Sequence, residues 1–434
     1  MKLVSKGLVR RRARYRATGD PEWTLAVVRP FFLLCFMFWI PDPSTRQPLT
    51  WHSFAREFLL PILCYYVTAL LVITPRTFFI RLALLPISLY SAFRCATRLD
   101  LVKGFPDEER IVYVNQGLLL AMTTLATRVI IWTCQLEPYH RVKYSTGNTA
   151  LDALDLFCNL RGTGWSWSTG LKVPPERRNT SSTPSFLLST SRSLLTHLLL
   201  FDFSLYLVQS FGFSALDPTH AVTGTSIFLA PLPPLQRYLR SSFISILSGL
   251  VVYYAIHLMY NLITIISVML FAHTPDQWPP LFQKPWYATS LNEFWACRWH
   301  QLFRHNFIAF GGGPGFFFFG RIGAVMSAFL VSGVLHYIGL WGMGRGSDFF
   351  SVAGFFLLMG FGVLMELAFK SMTGHRVGGF FGWLWSMLWL LAWGNLLVDA
   401  WLIRGLAGSL FSPQEQRPSV MLVRFVQEHG WLKS

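Results

Sequence analysis

The chain has 434 residues, of which 53% are hydrophobic and only 13% charged, and it carries a net charge of +16. Its mean hydropathy is +0.42. Soluble domains carry about a quarter charged residues, so this composition excludes a string of ordinary soluble domains and points to one polytopic membrane bundle. The cations are scattered between apolar runs and build no single groove-sized patch. That excludes a nucleic-acid partner and leaves anionic headgroups or an anionic substrate.

The densest basic cluster, KGLVRRRARYR at 6–16, precedes the first apolar run. The positive-inside rule expects this of a cytosolic N-terminus, so residues 1–20 read as a basic cytosolic segment. No small-residue cleavage site follows the apolar stretch Thr24–Ile40, and a cleavable signal is not expected. A spanning helix needs about 20 apolar residues. Candidates run over 24–40, 58–75, 77–93, 113–134, 186–211, 242–272, 316–341, 349–369 and 380–402. The first and third are short, and the sixth is long enough to tilt, kink or leave the bilayer. Strand-type alternation is absent, so the expected fold is an all-α polytopic bundle of about eight or nine spans, not a β-barrel. Residues 21–134 form an N-terminal set of transmembrane helices, 135–185 a hydrophilic loop, and 186–434 a C-terminal transmembrane region that holds the richest polar chemistry.

Two hydrophilic intervals interrupt the pattern, 135–185 and 273–315. In the first, Leu151, Leu154 and Leu156 read as the apolar stripe of a short surface helix. The second ends in FGGGPG, read as a flexible turn. With a cytosolic N-terminus and every candidate spanning once, parity places both intervals on the cytosolic side, where a soluble cosubstrate reaches them. Glycosylation of the Asn179-Thr180-Ser181 sequon would instead place the first loop in the lumen. The six cysteines, Cys35, Cys64, Cys95, Cys134, Cys158 and Cys297, lack metal-like spacing. They read as packing residues, without a disulfide framework.

Within the second interval, SLNEFWACRWHQLFRHN at 290–306 concentrates two tryptophans, two arginines and two histidines. Drawn as a helix over 293–305, Trp295, Trp299, Leu302 and Phe303 share one face, and Cys297, His300, Gln301 and Arg304 the other. Such a helix can simply lie at the membrane interface with its arginines on headgroups. A second site favours a functional reading. The run RIGAVMSAFLVSGVLHYIGLWGM places His336 deep in an apolar span, framed by Ser332, Gly333 and Gly339. An ionisable residue at that depth is costly and is a functional candidate, although a hydrogen bond to a neighbouring helix is the plainer alternative. The small residues beside it permit close helix approach, or leave room for a ligand.

Two such histidines suit acyl transfer. A neutral imidazole can take the proton of an alcohol as it attacks a thioester carbonyl, and a second polar group can hold the donor or the developing oxyanion. Nearby cations suit the phosphates of a CoA carrier. A metal centre is disfavoured, because His300, His305 and His336 lack a tight carboxylate or cysteine partner pattern.

At these residues the chain resembles the wax synthase-like proteins of the membrane-bound O-acyltransferase superfamily. SLNEFWACRWHQLFR is similar to their S-x-x-x-FWGRRWHQ-x-x-R signature, SGVLHYIGL to their SG-x-x-H element, and NLRGTGWSW to their upstream N-x-RGIGW-x-W element. The three lie in the family's order over roughly 150–345. The resemblance implies His336 as general base, with His300 at a second polar position filled by Asn or His. It also implies Trp295, Arg298, Trp299, Gln301 and Arg304 as donor-side framework, and matches Arg161, Gly162, Gly164 and Trp165 to the upstream element. Ala296 and Cys297 stand where the motif has Gly and Arg, and Tyr337 where relatives often have Glu, so one cation and one acid are missing near the site. Relatives of this form resemble fungal enzymes that acetylate terpenoid and meroterpenoid hydroxyls. They imply acetyl-CoA as cosubstrate, a lipophilic alcohol as acceptor and no bound cofactor, in the endoplasmic reticulum membrane among its lipids. Long-chain wax-ester formation is the nearest alternative.

Other polar residues read more plainly. His257 and Asn261 share a helix face and fit an interhelical hydrogen bond better than a cavity wall. Glu366 with Lys370, and Asp399 with Arg404, read as ion pairs or snorkelling pairs. Phe316–Phe319 reads as lipid-facing or packing. The glycines of FGGGPG lack the Lys-Ser/Thr of a P-loop. A transporter relaying protons through the histidines is the competing class, but neither histidine element recurs as the second copy of an internal repeat.

Overall fold

Uninterrupted apolar runs become helices because a helix satisfies all its backbone polar groups within one segment. The computed structural model describes residues 40–168, 171–213, 225–271 and 273–429. The chain divides into two units, Met1–Arg46 and Gln47–Ser434. In the first, the described residues make one 3₁₀ turn, Pro43–Thr45, with the Asp42 carboxylate accepting the Ser44 N–H at 2.8 Å. The basic cluster at 6–16, and the expected span at 24–40 except Ile40, lie outside the described residues.

In the second unit, α1 (Trp51–Ile73), α2 (Phe78–Arg98) and α3 (Glu108–Cys134) are each long and apolar enough to cross a bilayer. A capping box starts α1: the Thr50 hydroxyl accepts the Ser53 N–H, and the Ser53 hydroxyl accepts the Thr50 N–H. A two-residue parallel pair, β1 (Gln47–Pro48) with β2 (Leu99–Asp100), ties the start of α1 to the end of α2. The short helix α4 (Thr149–Cys158), capped by Asn148, closes this layer. Its core stacks Tyr65 on Trp132, with centroids 4.8 Å apart, and lays the Arg128 guanidinium 4.7 Å from the centre of the Trp132 ring. The expected stripe on α4 is only part of its packing: Leu156 is fully buried, whereas Leu151 and Leu154 are exposed. Likewise Cys64 and Cys95 pack in the core, while Cys134 and Cys158 do not.

Next come α5 (Thr183–Gln209) and α6 (Pro234–Leu270). α5 has 27 residues but is not among the helices apolar enough to span, since Arg192, Thr196, His197 and Asp202 interrupt its apolar run. α6 has 37 residues, about 55 Å of helix, so it extends beyond the roughly 30 Å hydrocarbon layer. The remaining elements are α7 (Arg304–Gly342), α8 (Phe349–Thr373), α9 (Gly379–Ile403) and α10 (Pro418–Glu428). Seven described helices in all, α1–α3 and α6–α9, meet the spanning length and composition.

α7 corrects the expectation of a flexible FGGGPG turn followed by one straight span. Gly320 has φ 62° and ψ −145°, and there the helix turns back on itself. Side chains added at Gly311 and Gly315 would collide with the Ser327 and Gly323 backbones, so the two arms lie antiparallel with no room for a Cβ between them. The first arm, 304–319, is about 24 Å long, too short to cross the hydrocarbon layer. The exposed Phe316–Phe319 lie at its tip, facing outward. On the returning arm, Gly333 meets the Ala353 Cα of α8, and Gly339 meets Leu120 of α3. The small residues around His336 therefore serve close helix approach.

Candidate active site

The polar motif begins where Ser290 caps a short helical start, Leu291–Glu293. It does not continue as the expected helix over 293–305. Phe294–Arg298 forms a π-turn closed by the Trp299 N–H on the Phe294 carbonyl, and Trp299 itself is extended, with φ −80° and ψ 154°. Helix resumes only at Arg304. Three side chains hold this break. The buried Gln301 amide donates to the Trp295 and Trp299 carbonyls at 2.9 and 2.8 Å. Arg298 donates to the Glu293 carboxylate at 2.8 Å and to the Gln283 carbonyl at 2.9 Å. Glu366 of α8 accepts the N–H groups of Leu291 and Asn292, at 2.5 and 3.0 Å, and the Trp385 indole N–H at 3.1 Å. Glu366, read from the sequence as an ion-pair or snorkelling partner of Lys370, is a buried clamp on the start of the motif. Asp399 differs in the same manner, accepting the Ser226 hydroxyl and the Ile227 N–H while Arg404 donates to the Ala400 carbonyl.

The segment does not float at an interface. Trp295 packs against Phe329 of α7 and Phe355 and Phe356 of α8. Trp299 stacks on Phe294, with centroids 5.4 Å apart, and meets Phe282 edge-on at 4.9 Å. His300 follows, half-buried among Phe282, Trp299 and Phe303. Burial first, and the charge of His336 second, push its pKa down to about 3, so the ring is neutral. Its Nδ1 is buried without a hydrogen-bond partner among the described residues, as is the Trp295 Nε1.

On the returning arm of α7, His336 Nδ1 lies 2.8 Å from the Ser332 carbonyl oxygen. A carbonyl only accepts, so the proton sits on Nδ1 and Nε2 carries the lone pair. The ring lies 4.4 Å from Phe356. Phe356, Trp295 and Trp299 form a continuous series of ring contacts from His336 to His300. Tertiary packing therefore joins the two histidines through one aromatic wall.

The upstream element docks on the same region. Arg161 is buried and donates to the Pro280 and Pro279 carbonyls at 2.9 and 2.7 Å, on the segment that leads to the motif. Gly162 has φ 73°, and the Trp167 ring occupies the space where its side chain would be. The Trp165 indole donates to Asp155 of α4 at 2.6 Å. A small cleft results, lined by Leu160, Arg161, Trp167, Ser168 and Leu171 on one side and by Gln301, Arg304 and His305 on the other. Trp167 lies against His305 with centroids 4.6 Å apart. Arg304 is exposed at the cleft and makes no salt bridge among the described residues. Of the seven site residues read from the sequence, His336 and His300 thus share the aromatic wall. Trp295, Trp299, Gln301 and Arg298 shape the motif, and Arg304 faces the cleft. Phe356, the clamping role of Glu366 and the contact of Trp167 with His305 were missed, because only contacts distant in the chain reveal them.

Residues 278–358 match the model of the membrane bound O-acyl transferase family. Acetyltransferase spyB of Aspergillus fumigatus is 30% identical over 173 residues, covering 34% of this chain and 29% of that protein. Acetyltransferase aurG of Calcarisporium arbuscula is 26% identical over 260 residues, covering 52% and 62% respectively. Acyl-CoA--sterol O-acyltransferase 1 of Arabidopsis thaliana is 30% identical over 133 residues, covering 28% of this chain and 39% of that protein. The chain thus spans between 29% and 62% of the length of these relatives. The matched segment carries His300 and His336, and over it the chain is similar to the membrane bound O-acyl transferases.

Proposed function

We propose that the chain is an acyl-CoA-dependent O-acyltransferase that moves an acetyl group from acetyl-CoA to a hydroxyl of a lipophilic secondary metabolite of the terpenoid or meroterpenoid class. The observation that carries this reading is the Ser332 carbonyl on His336 Nδ1, which leaves Nε2 ready to accept a proton inside an apolar bundle. His336 Nε2 takes the hydroxyl proton as the alcohol oxygen attacks the thioester carbon. The new C–O bond forms, the C–S bond breaks, and the departing CoA sulfur takes the proton back from the imidazolium. No covalent enzyme intermediate is required, and bringing both substrates together supplies much of the rate.

His300, neutral in its aromatic cage, serves as the second polar group, holding the thioester or its developing oxyanion. Its partnerless Nδ1 supports this role, because buried unsatisfied groups in native structures call for a ligand, water or functional explanation. The exposed Arg304 at the cleft takes a donor phosphate, while Arg298 acts mainly as a brace. Trp295, Trp299 and Gln301 keep the π-turn and the histidine in place. The relatives named as acetyltransferases favour acetyl as the group transferred, and the relative named as a sterol acyltransferase favours a polycyclic acceptor. The N-terminus faces the cytosol in this reading, with the bundle in the endoplasmic reticulum membrane.

Membranes containing the chain, incubated with labelled acetyl-CoA and a panel of terpenoid alcohols, test the proposal beside membranes carrying His336→Ala at matched protein level. Labelled ester from the unmutated chain alone is the expected result. Ester formed equally by both would remove His336 as the base. Ester formed only from long-chain acyl-CoA would reassign the reaction to wax-ester synthesis.

A further inference from the structure

α5 and α6 bring a second pair of histidines together. The His197 and His257 rings stack with centroids 4.4 Å apart and planes 20° apart. His197 Nδ1 lies 2.6 Å from the Ser193 carbonyl oxygen, which sets its proton on Nδ1 and leaves Nε2 as an acceptor. Asn261, which shares a face of α6 with His257, donates to the Ser193 hydroxyl at 3.0 Å. The interhelical hydrogen bond expected on this face therefore belongs to Asn261. His257 has no such partner: its Nε2 is buried and bonded to nothing among the described residues.

The rings packed on that histidine are aromatic, and the Arg178 charge that reaches it is paired with Glu176. Tyr253 meets His257 edge-on at 4.6 Å, and Phe282 lies at 4.9 Å. Phe282 also touches His300, at 5.7 Å between centroids. One phenylalanine thus separates the second histidine pair from the candidate active site. A buried polar atom without a partner is destabilising unless something satisfies it. An aromatic wall disfavours a bare ion and favours an uncharged oxygen on a hydrophobic framework.

We propose that His257, supported by His197, is a specificity-determining residue that hydrogen-bonds a second oxygen function of the acceptor, a hydroxyl or ketone remote from the hydroxyl that is acylated. This rests on the acyl-transfer reading above. The acceptor class becomes narrower: a polycyclic lipophilic alcohol carrying another uncharged oxygen at the far end of its ring system, with Phe282 against the intervening skeleton. A site built to hydrogen-bond a substrate oxygen discriminates strongly against the analogue lacking it, because its own polar group is then left unpaired.

The test is equilibrium binding to detergent-purified full-length chain, using tritiated polycyclic terpenoid mono-ols, each paired with its keto- or hydroxy-bearing counterpart. The unmutated chain is expected to bind the oxygen-bearing member of at least one pair about tenfold more tightly. His257→Phe should erase that difference while leaving mono-ol binding near its original level, and His257→Gln should restore part of it. Equal binding of all pairs by the unmutated chain, no binding of any, or a preference that survives in His257→Phe would overturn the proposal. Ester formation from labelled acetyl-CoA, measured on the same preparations, reports separately on acyl transfer. A binding preference lost in His257→Phe, with no ester from any donor, would sink the acyl-transfer reading and leave the recognition by His257 standing.

Discussion

The Ser332 carbonyl oxygen lies 2.8 Å from His336 Nδ1, one helical turn away on the same arm of α7. This contact orients the ring and selects the tautomer with a free Nε2. A glutamine at 336 approximates the volume but offers no basic nitrogen. His336→Gln should accumulate in membranes at normal levels and lose about 10²–10⁴-fold in turnover, the usual contribution of a general base. Single-turnover ester formation at saturating donor checks this, and activity within threefold of the unmutated chain would contradict it.

His300 supplies a prediction in pH. Its ordinary value near 6.5 is pushed down to about 3 by burial, then by His336. Between these values the unfolded chain binds the proton that the folded chain refuses, so stability rises with pH. This contribution is fully present above pH ~6.5 and fades as pH falls toward 3. Thermal unfolding of purified chain should show a steeper acid-side loss than His300→Gln does. Parallel curves would show that His300 does not titrate in this manner.

Arg298 and Arg304 separate by what they touch. Arg298 is spent on Glu293 and the Gln283 carbonyl, so Arg298→Gln should lower the melting temperature and cost about 1.5–3 kcal/mol, as lost hydrogen bonds to charged groups do. Arg304 is exposed at the cleft. Arg304→Gln should leave the melting temperature unchanged and raise the KM for acyl-CoA about tenfold, with weaker salt dependence. An unchanged KM would remove Arg304 from the donor site.

Glu366 satisfies two backbone N–H groups and one indole N–H at the start of the motif. Glu366→Ala should strand these donors at about 1–3 kcal/mol each, seen as a large fall in melting temperature and loss of activity. Glu366→Gln keeps one accepting oxygen and should be milder. Equal stability of the two variants would contradict the clamp.

The hairpin of α7 depends on glycines that touch backbone. A Cβ at Gly315 would collide with Gly323, whereas a Cβ at Gly354 of α8 would meet nothing within 4 Å. Gly315→Ala should destabilise by about 1–3 kcal/mol, the range for overpacking, and Gly354→Ala should be neutral or slightly stabilising. Melting temperatures of the two proteins decide the matter.

The all-helical membrane class and most helix positions were legible in the chain, and motif spacing singled out His300 and His336 as candidates, because hydropathy and motif spacing are local properties. Apolar runs such as 349–369 and 380–402 need no partner to declare themselves. The same local signal misled over 293–305 and 304–342. Side-chain periodicity carries no information about Gln301 turning back on Trp295, or about two glycine-lined arms lying antiparallel around Gly320. Only the tertiary structure decided that Glu366 clamps Leu291, that Trp167 meets His305, and that Asn261 is satisfied while His257 is not. Each of those facts depends on packing between elements far apart in the chain. The sequence by itself determined which chemistry was carried, and packing decided which of those groups were left free to use it.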